Sequence, residues 1–150
     1  VVDADALVTV PDVDTDAALL CTPHQGELRG MGGETADEWR TRAELVSEFA
    51  ADLGHLLLVK GPYDIVTDGV ETRINRTGNA AMTVGGTGDV LAGATGALAC
   101  VLAPRHAASV AAYATGRAGD AAAEERDRGL VATDLLGRLP SALQDQEVDG

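Results

Sequence analysis

Cysteine, lysine and long apolar runs are scarce in this 150-residue chain. Its two cysteines, Cys21 and Cys100, are too few and too far apart for a metal knuckle or a disulfide framework, so both are read as small core residues. No run approaches the length of a membrane span, and no basic region followed by an apolar stretch opens the chain, so a cytoplasmic protein is expected. Lysine occurs once, as Lys60, and 11 basic residues against 24 acidic ones leave a formal charge of −13. Such a surface repels nucleic acid and anionic membranes, which removes both from the expected partners. The acids are spread over loops and helix faces rather than gathered in one tail, as in a halophilic surface adapted to high salt. Repeats and low-complexity segments are absent too, and the length suits one domain with a real core.

What is present centres on Met82 to Ala99, MTVGGTGDVLAGATGALA. Gly85, Gly86 and Gly88 precede a run small and apolar enough for a buried helix, so their N–H groups can converge at its N-terminus, where the dipole favours an anion. Asp89 follows the last of these glycines and is the one ionisable side chain in the stretch, placed to take a proton from a substrate hydroxyl beside a bound phosphate. The plainer reading of an acid before an apolar helix is an N-cap.

Elsewhere the pattern is α/β. Val1 to Leu7 begins as a strand running into Asp3 and Asp5, which are read as a solvated loop, the alternative being a carboxylate near a site at the sheet's carboxyl edge. Leu19 to Leu28, LLCTPHQGEL, carries a short strand into a Thr-Pro turn, so His24 and Glu27 project from a loop at a strand end, unless they only cap and open a helix. Thr35 to Leu53 reads as a helix packing Trp39, Ala43, Val46 and Ala50. Leu56 to Val59 reads as a strand covered on both faces, ended by Lys60-Gly61-Pro62, where Lys60 either faces a phosphate or sits on the rim. Asp68-Gly69 signals a two-residue hairpin between Tyr63–Thr67 and Val70–Ile74. An alanine-rich helix is expected over His106 to Glu125, with Gly116 and Gly119 allowing close approach, and a last one over Thr133 to Leu139 behind a Thr-Asp cap. The polar tail from Gln144 is expected to fray.

Taken together, Thr22-Pro23-His24-Gln25-Gly26-Glu27, Lys60-Gly61, Gly78-Asn79-Ala80-Ala81-Met82, Gly86-Thr87-Gly88-Asp89-Val90-Leu91-Ala92-Gly93 and Ala132-Thr133-Asp134-Leu135 fall in one order. This order closely resembles the ADP-dependent NAD(P)H-hydrate dehydratase family, the C-terminal domain of YjeF-type proteins, within the ribokinase-like superfamily. The similarity runs from the first residue to about Leu139. Kinase relatives tend to carry Asn where His24 stands. The family's proteins are longer, so the chain resembles the C-terminal portion of one such domain, with the N-terminal half and its strands not matched here. The fold implied is a mostly parallel sheet with helices on both faces and a β-hairpin, and the unmatched strands imply an exposed edge.

The resemblance implies restoration of NADH or NADPH from the hydrated ring, by phosphoryl transfer from ADP, or ATP in some relatives, to the ring hydroxyl and elimination of phosphate. It implies Asp89 as the base that activates the substrate hydroxyl, His24 as a contact to hydrated NADH or NADPH, and the amides of Gly86, Thr87 and Gly88 as holders of the phosphoryl group. Lys60, Gly61, Pro62, Tyr63, Asp64 and Asn79 would line the nucleotide, although the family often has Thr or Ser where Asp64 stands. Glu27 would orient a water on Mg2+. Related proteins often form tetramers, so a homo-oligomer is expected. The rival readings are a ribokinase-like kinase for a small alcohol, against which His24 and the Gly78 to Met82 string count, and a non-catalytic nucleotide-binding module.

Overall fold

Four apolar residues in succession, Leu56 to Val59, form β2 (Leu56–Val59), and all four are buried, as a strand covered on both faces requires. They belong to the first of two compact units, Val1–Asn75 and Arg76–Gly150. The computed structural model describes residues 1–144, so the rest of the polar tail that the sequence suggests frays lies outside the described residues.

In the first unit β1 (Leu20–Cys21) pairs with β2 in parallel, Leu20 opposite Leu56 and Cys21 opposite Leu57. The chain crosses between them through α1 (Gln25–Gly30) and α2 (Trp39–Leu53). Single parallel bridges at Val2–Cys21 and His24–Lys60 extend this side. On the other edge of β2, β3 (Asp64–Thr67) and β4 (Thr72–Asn75) follow in antiparallel fashion, giving the order β1-β2-β3-β4. The expected α/β class holds, but a mostly parallel sheet does not: one strand pairing is parallel and two are antiparallel. Connection length decides this. Lys60 to Tyr63 is a tight link, which can only reverse the chain, whereas a parallel neighbour needs a crossover such as the one through α1 and α2.

The hairpin is where Asp68-Gly69 puts it, with a wider turn than expected. Asp68 Oδ1 accepts the N–H groups of Val70 at 3.1 Å and Glu71 at 2.9 Å, which draws both residues into the loop and starts β4 at Thr72. Helix α2 begins at Trp39 rather than Thr35, because Glu38 caps it: its carboxylate accepts the Thr41 N–H at 2.9 Å. Backbone N–H bonds from Thr41 and Arg40 hold that carboxyl below its usual range. The helix lays Val46 and Ala50 into a cluster with Leu57, Val59 and Ile65, joined by Leu7 and Val10 of a 3-10 helix over Ala4–Asp12. Burial of these side chains is the main stabilising term of the unit.

The second unit is helical. A 3-10 turn at Ala80–Met82 precedes α3 (Thr87–Ala99) and α4 (Pro104–Arg126), followed by a 3-10 turn at Asp127–Gly129, α5 (Thr133–Leu136) and α6 (Leu139–Gln144). Pro104 opens α4 two residues before the expected start, at a position where its missing N–H costs nothing. Ala114, Ala118 and Ala122 pack with Leu130, Leu135 and Ala142, and partly buried Met82, Val84 and Val90 close over them. The single last helix expected over Thr133 to Leu139 is two short ones, and Asp134 folds back to accept the Val131 N–H at 3.0 Å. Two expectations fail here. Helix α3 is fully buried only at Leu91 and Thr95, one turn apart; most of its other residues are half-buried, and Asp89, Gly93 and Ala97 are exposed. Cys100, at the end of that helix, is exposed, whereas Cys21 is a core residue as expected, its thiol pushed up to about 11 by burial. No described helix is long and apolar enough to cross a membrane.

Candidate active site

In the first unit the Thr-Pro-His-Gln-Gly-Glu string is explained residue by residue. Thr22 Oγ1 donates to Asp3 Oδ1 at 2.7 Å, and the Pro23 carbonyl accepts the Lys60 N–H at 2.8 Å, fixing the strand end. His24 is the N-cap of α1: its Nδ1 accepts the Glu27 N–H at 3.0 Å while Glu27 Oε2 accepts the His24 N–H at 2.7 Å, a reciprocal capping box. That bond places the neutral imidazole's proton on Nε2. A Cβ at Gly26 would stand 2.8 Å from His24 Cε1, so glycine leaves room for the ring. Gln25 Oε1 accepts from Thr35 Oγ1 at 2.9 Å.

Lys60 does not stand free for a phosphate. Its Nζ lies 3.0 Å from Asp3 Oδ1 and 3.6 Å from Glu27 Oε2, with all three side chains four-fifths or so buried at 19%, 18% and 23% exposure. Two carboxylates around one ammonium leave this cluster with a net negative formal charge, and their mutual bonds hold it together. Asp3 is therefore not the solvated residue expected; Asp5 is exposed.

The loop after β2 is tied by Asp64. Its Oδ1 accepts the Gly61 N–H at 3.1 Å and its Oδ2 accepts Asn75 Nδ2 at 2.9 Å. Burial raises this carboxyl's pKa, and those two bonds with the charges of Lys60 and Arg42 oppose the rise. Tyr63 meets Trp39 edge to face at 5.7 Å, and the Arg40 guanidinium lies over the Trp39 ring at 4.4 Å. Gly61 and Pro62 are exposed.

In the second unit the glycine-rich turn has the geometry its composition suggests. Gly86 is the N-cap of α3 with φ +93°, where a Cβ would also come within 3.0 Å of Ala132 Cβ. Thr87 Oγ1 donates to the Met82 carbonyl at 2.9 Å, which turns the side chain back into the loop. Helix geometry leaves the first-turn amides, Thr87 to Asp89, without intrahelical acceptors, at the positive end of a 13-residue helix. Asp89 is the third helical residue, not the N-cap; it is exposed, and its carboxylate engages no partner among the described residues. Asn79 is held on both sides: its Oδ1 accepts the Ala81 N–H at 2.9 Å and its Nδ2 donates to Asp120 Oδ1 at 2.9 Å. Gly116 and Gly119 do allow the close approach expected of them, by Thr77 and Met82.

Each unit thus gathers its own set: Asp3, His24, Glu27 and Lys60 with Asp64 nearby in chain in the first, Asn79 and the Gly86 to Asp89 turn in the second. Sequence reasoning missed Asp120, Arg42 and Asn75. The signal for Asp120 was its spacing, four residues past Gly116 on the face that the glycines open. Among the described residues no group of three or more His, Cys, Asp or Glu could hold a metal, and Glu27 is already engaged by the His24 N–H and Lys60.

Residues 1–141 match the family model described as NAD(P)H-hydrate dehydratase. The chain is 44% identical over 146 residues to the bifunctional NAD(P)H-hydrate repair enzyme Nnr of Pyrobaculum aerophilum, covering 96% of this chain and 29% of that protein. It is 42% identical to the ADP-dependent (S)-NAD(P)H-hydrate dehydratase of Cenarchaeum symbiosum, covering 95% of this chain and 50% of the relative. The crystal structure of the ADP/ATP-dependent NAD(P)H-hydrate dehydratase from Bacillus subtilis, co-crystallised with ATP/Mg2+, superposes with a TM-score of 0.84 at 31% identity, covering 95% of this chain and 53% of that one. The chain therefore spans between about a third and a half of the length of these relatives.

Proposed function

Because the chain belongs to the NAD(P)H-hydrate dehydratase family, we propose that it is the C-terminal portion of a single dehydratase domain that restores NADH or NADPH from the hydrated ring at the expense of ADP. The observation that carries the reading is the turn into α3: an exposed carboxylate at Asp89, with no partner among the described residues, beside first-turn amides that seek an anion. Asp89 takes the proton of the ring hydroxyl as its oxygen attacks the terminal phosphorus of ADP, and the bond to AMP breaks. The ring nitrogen's lone pair then expels phosphate, and loss of the neighbouring ring proton restores the double bond.

The amides of Gly86, Thr87 and Gly88 hold the phosphoryl group as charge spreads over its oxygens, and donors of that kind contribute about 3 kcal/mol each. His24 offers its Nε2–H, which lies 3.6 Å from Glu27 Oε1, to the hydrated nicotinamide, since Nδ1 is occupied. Gly61, Pro62, Tyr63 and Asn79 line the nucleotide; Asp64 acts on it through the loop that it ties at the Gly61 N–H, and Lys60 from the strand end at which that loop begins. Among the described residues no group of three or more His, Cys, Asp or Glu could hold a metal by itself, so no step is routed through Mg2+; Glu27, which accepts the His24 N–H and pairs with Lys60, would orient a water on a magnesium that accompanies the nucleotide. Magnesium, when it accompanies the nucleotide, needs few protein carboxylates. The working form is a cytoplasmic homo-oligomer, tetrameric as the family resemblance implies, with its acid excess suited to high salt.

The test is incubation with NADH hydrate, ADP and magnesium while following the absorbance of regenerated NADH. Turnover that falls by a factor on the order of 10²–10⁴ in Asp89→Asn supports the reading. ADP binding without turnover favours a non-catalytic module, and phosphorylation of an unrelated alcohol favours a kinase.

A further inference from the structure

We propose that Asp120 is a positioning residue that sets Asn79, and with it the Gly78 to Met82 loop, for the nucleotide; this rests on the nucleotide contact read above for Asn79. Both oxygens of Asp120 are used on that loop, Oδ2 accepting the Gly78 N–H at 3.1 Å and Oδ1 accepting Asn79 Nδ2 at 2.9 Å. The other end of the Asn79 amide is fixed by the Ala81 N–H at 2.9 Å. The side chain therefore has one defined orientation and keeps one N–H to offer outward, from an exposed position.

The surface that receives the loop is a stripe of α4. Gly116, Gly119 and Asp120 recur at helical spacing, and the Thr77 hydroxyl donates to the Tyr113 carbonyl at 3.0 Å one turn earlier. A Cβ at Gly116 would overlap Thr77 and one at Gly119 would overlap Met82, so the two glycines set the distance. Gly78, at φ +97°, turns its N–H toward Asp120 by a backbone conformation that other residues rarely adopt. The Gly78 N–H and the Asn79 Nδ2 amide are both donors, so only an acceptor on each oxygen serves them. A carboxylate is such a group; an amide, which carries a donor of its own, is not.

The experiment compares wild type with Asp120→Asn and Asp120→Glu, measuring ADP affinity by calorimetry, KM for ADP, kcat, and hydrogen exchange at the Gly78 amide. Asp120→Asn sets an NH2 against one N–H, and the expected result is an ADP affinity and KM weakened about tenfold, with kcat within about twofold and faster exchange at Gly78. Asp120→Glu, which keeps both acceptors, recovers most of the ADP affinity, and it carries the comparison if the Asn variant does not fold. A residue with only a structural role would lower kcat in proportion to the folded fraction and leave KM alone, and that result overturns the inference. Asp120→Asn protein that binds ADP as tightly as wild type overturns it while the dehydratase reading stands. Wild-type protein without affinity for ADP overturns that reading and this inference with it.

Discussion

Glu27 and His24 each hold the other's backbone: the imidazole Nδ1 accepts the Glu27 N–H at 3.0 Å, and the Glu27 carboxylate accepts the His24 N–H at 2.7 Å. One histidine thus caps a helix with Nδ1, while its Nε2 lies 3.6 Å from Glu27 Oε1 and is the nitrogen proposed above to meet the substrate. The two roles separate by substitution. His24→Asn keeps a capping side chain and loses the Nε2 donor, so its melting temperature stays near wild type while NADH regeneration falls at least about tenfold. His24→Ala loses both and unfolds about 1 kcal/mol more easily in urea.

The Lys60 cluster gives an ordering. Asp3 is the nearer partner of Lys60 and also takes the Thr22 hydroxyl, whereas Glu27 can be replaced by Gln without losing its cap. Asp3→Ala is expected to cost about 2–4 kcal/mol, since it leaves a largely buried ammonium with Glu27 alone and removes the nearer of the Thr22 hydroxyl's two acceptors, the other being the Val2 carbonyl at 3.3 Å. Glu27→Gln costs less, about 1 kcal/mol or under. Denaturant titration of the two variants reads the difference, and equal losses would contradict the geometry.

Gly86 is required twice, by its φ of +93° and by Ala132. Gly86→Ala is expected to cost about 1–2 kcal/mol and to weaken ADP binding, because the turn that presents the Thr87 and Gly88 amides must open. Calorimetric ADP titration against thermal melting of the same sample measures both.

Asp64 makes a pH prediction. Burial raises its carboxyl pKa in the folded chain, so the folded state binds the proton more tightly than the unfolded state does. The stability this contributes is fully present below the ordinary aspartate range and is lost as pH rises through the raised value. Asp64→Asn removes that titration: the difference in unfolding free energy, wild type minus variant, should fall between about pH 3.5 and the raised value and then level off. A difference that is flat, or that rises with pH, would contradict the burial argument.

Local readings succeeded where one residue's chemistry decides the outcome. The glycines before α3, the Asp68-Gly69 reversal, the buried run of β2 and the close approach at Gly116 and Gly119 all follow from what those side chains permit. The motif order that identified the family is also a property of the chain itself, and the match over residues 1–141 agrees with it.

Partnership is what the linear chain leaves open. Asp3 and Lys60 stand 57 positions apart, and Asn79 and Asp120 stand 41 apart; an ionic or hydrogen-bonded pair at that separation leaves no local periodicity to read. The same holds for strand direction, which depends on how short the link after Lys60 proves to be, and for Cys100 and the open faces of α3, where burial depends on neighbours rather than on hydropathy. Residue types and their spacing therefore determined the family, the turn and its acid. The tertiary structure alone decided which charges neutralise one another and which carboxylates remain free, because burial and Coulomb attraction act over distance in space and not along the chain.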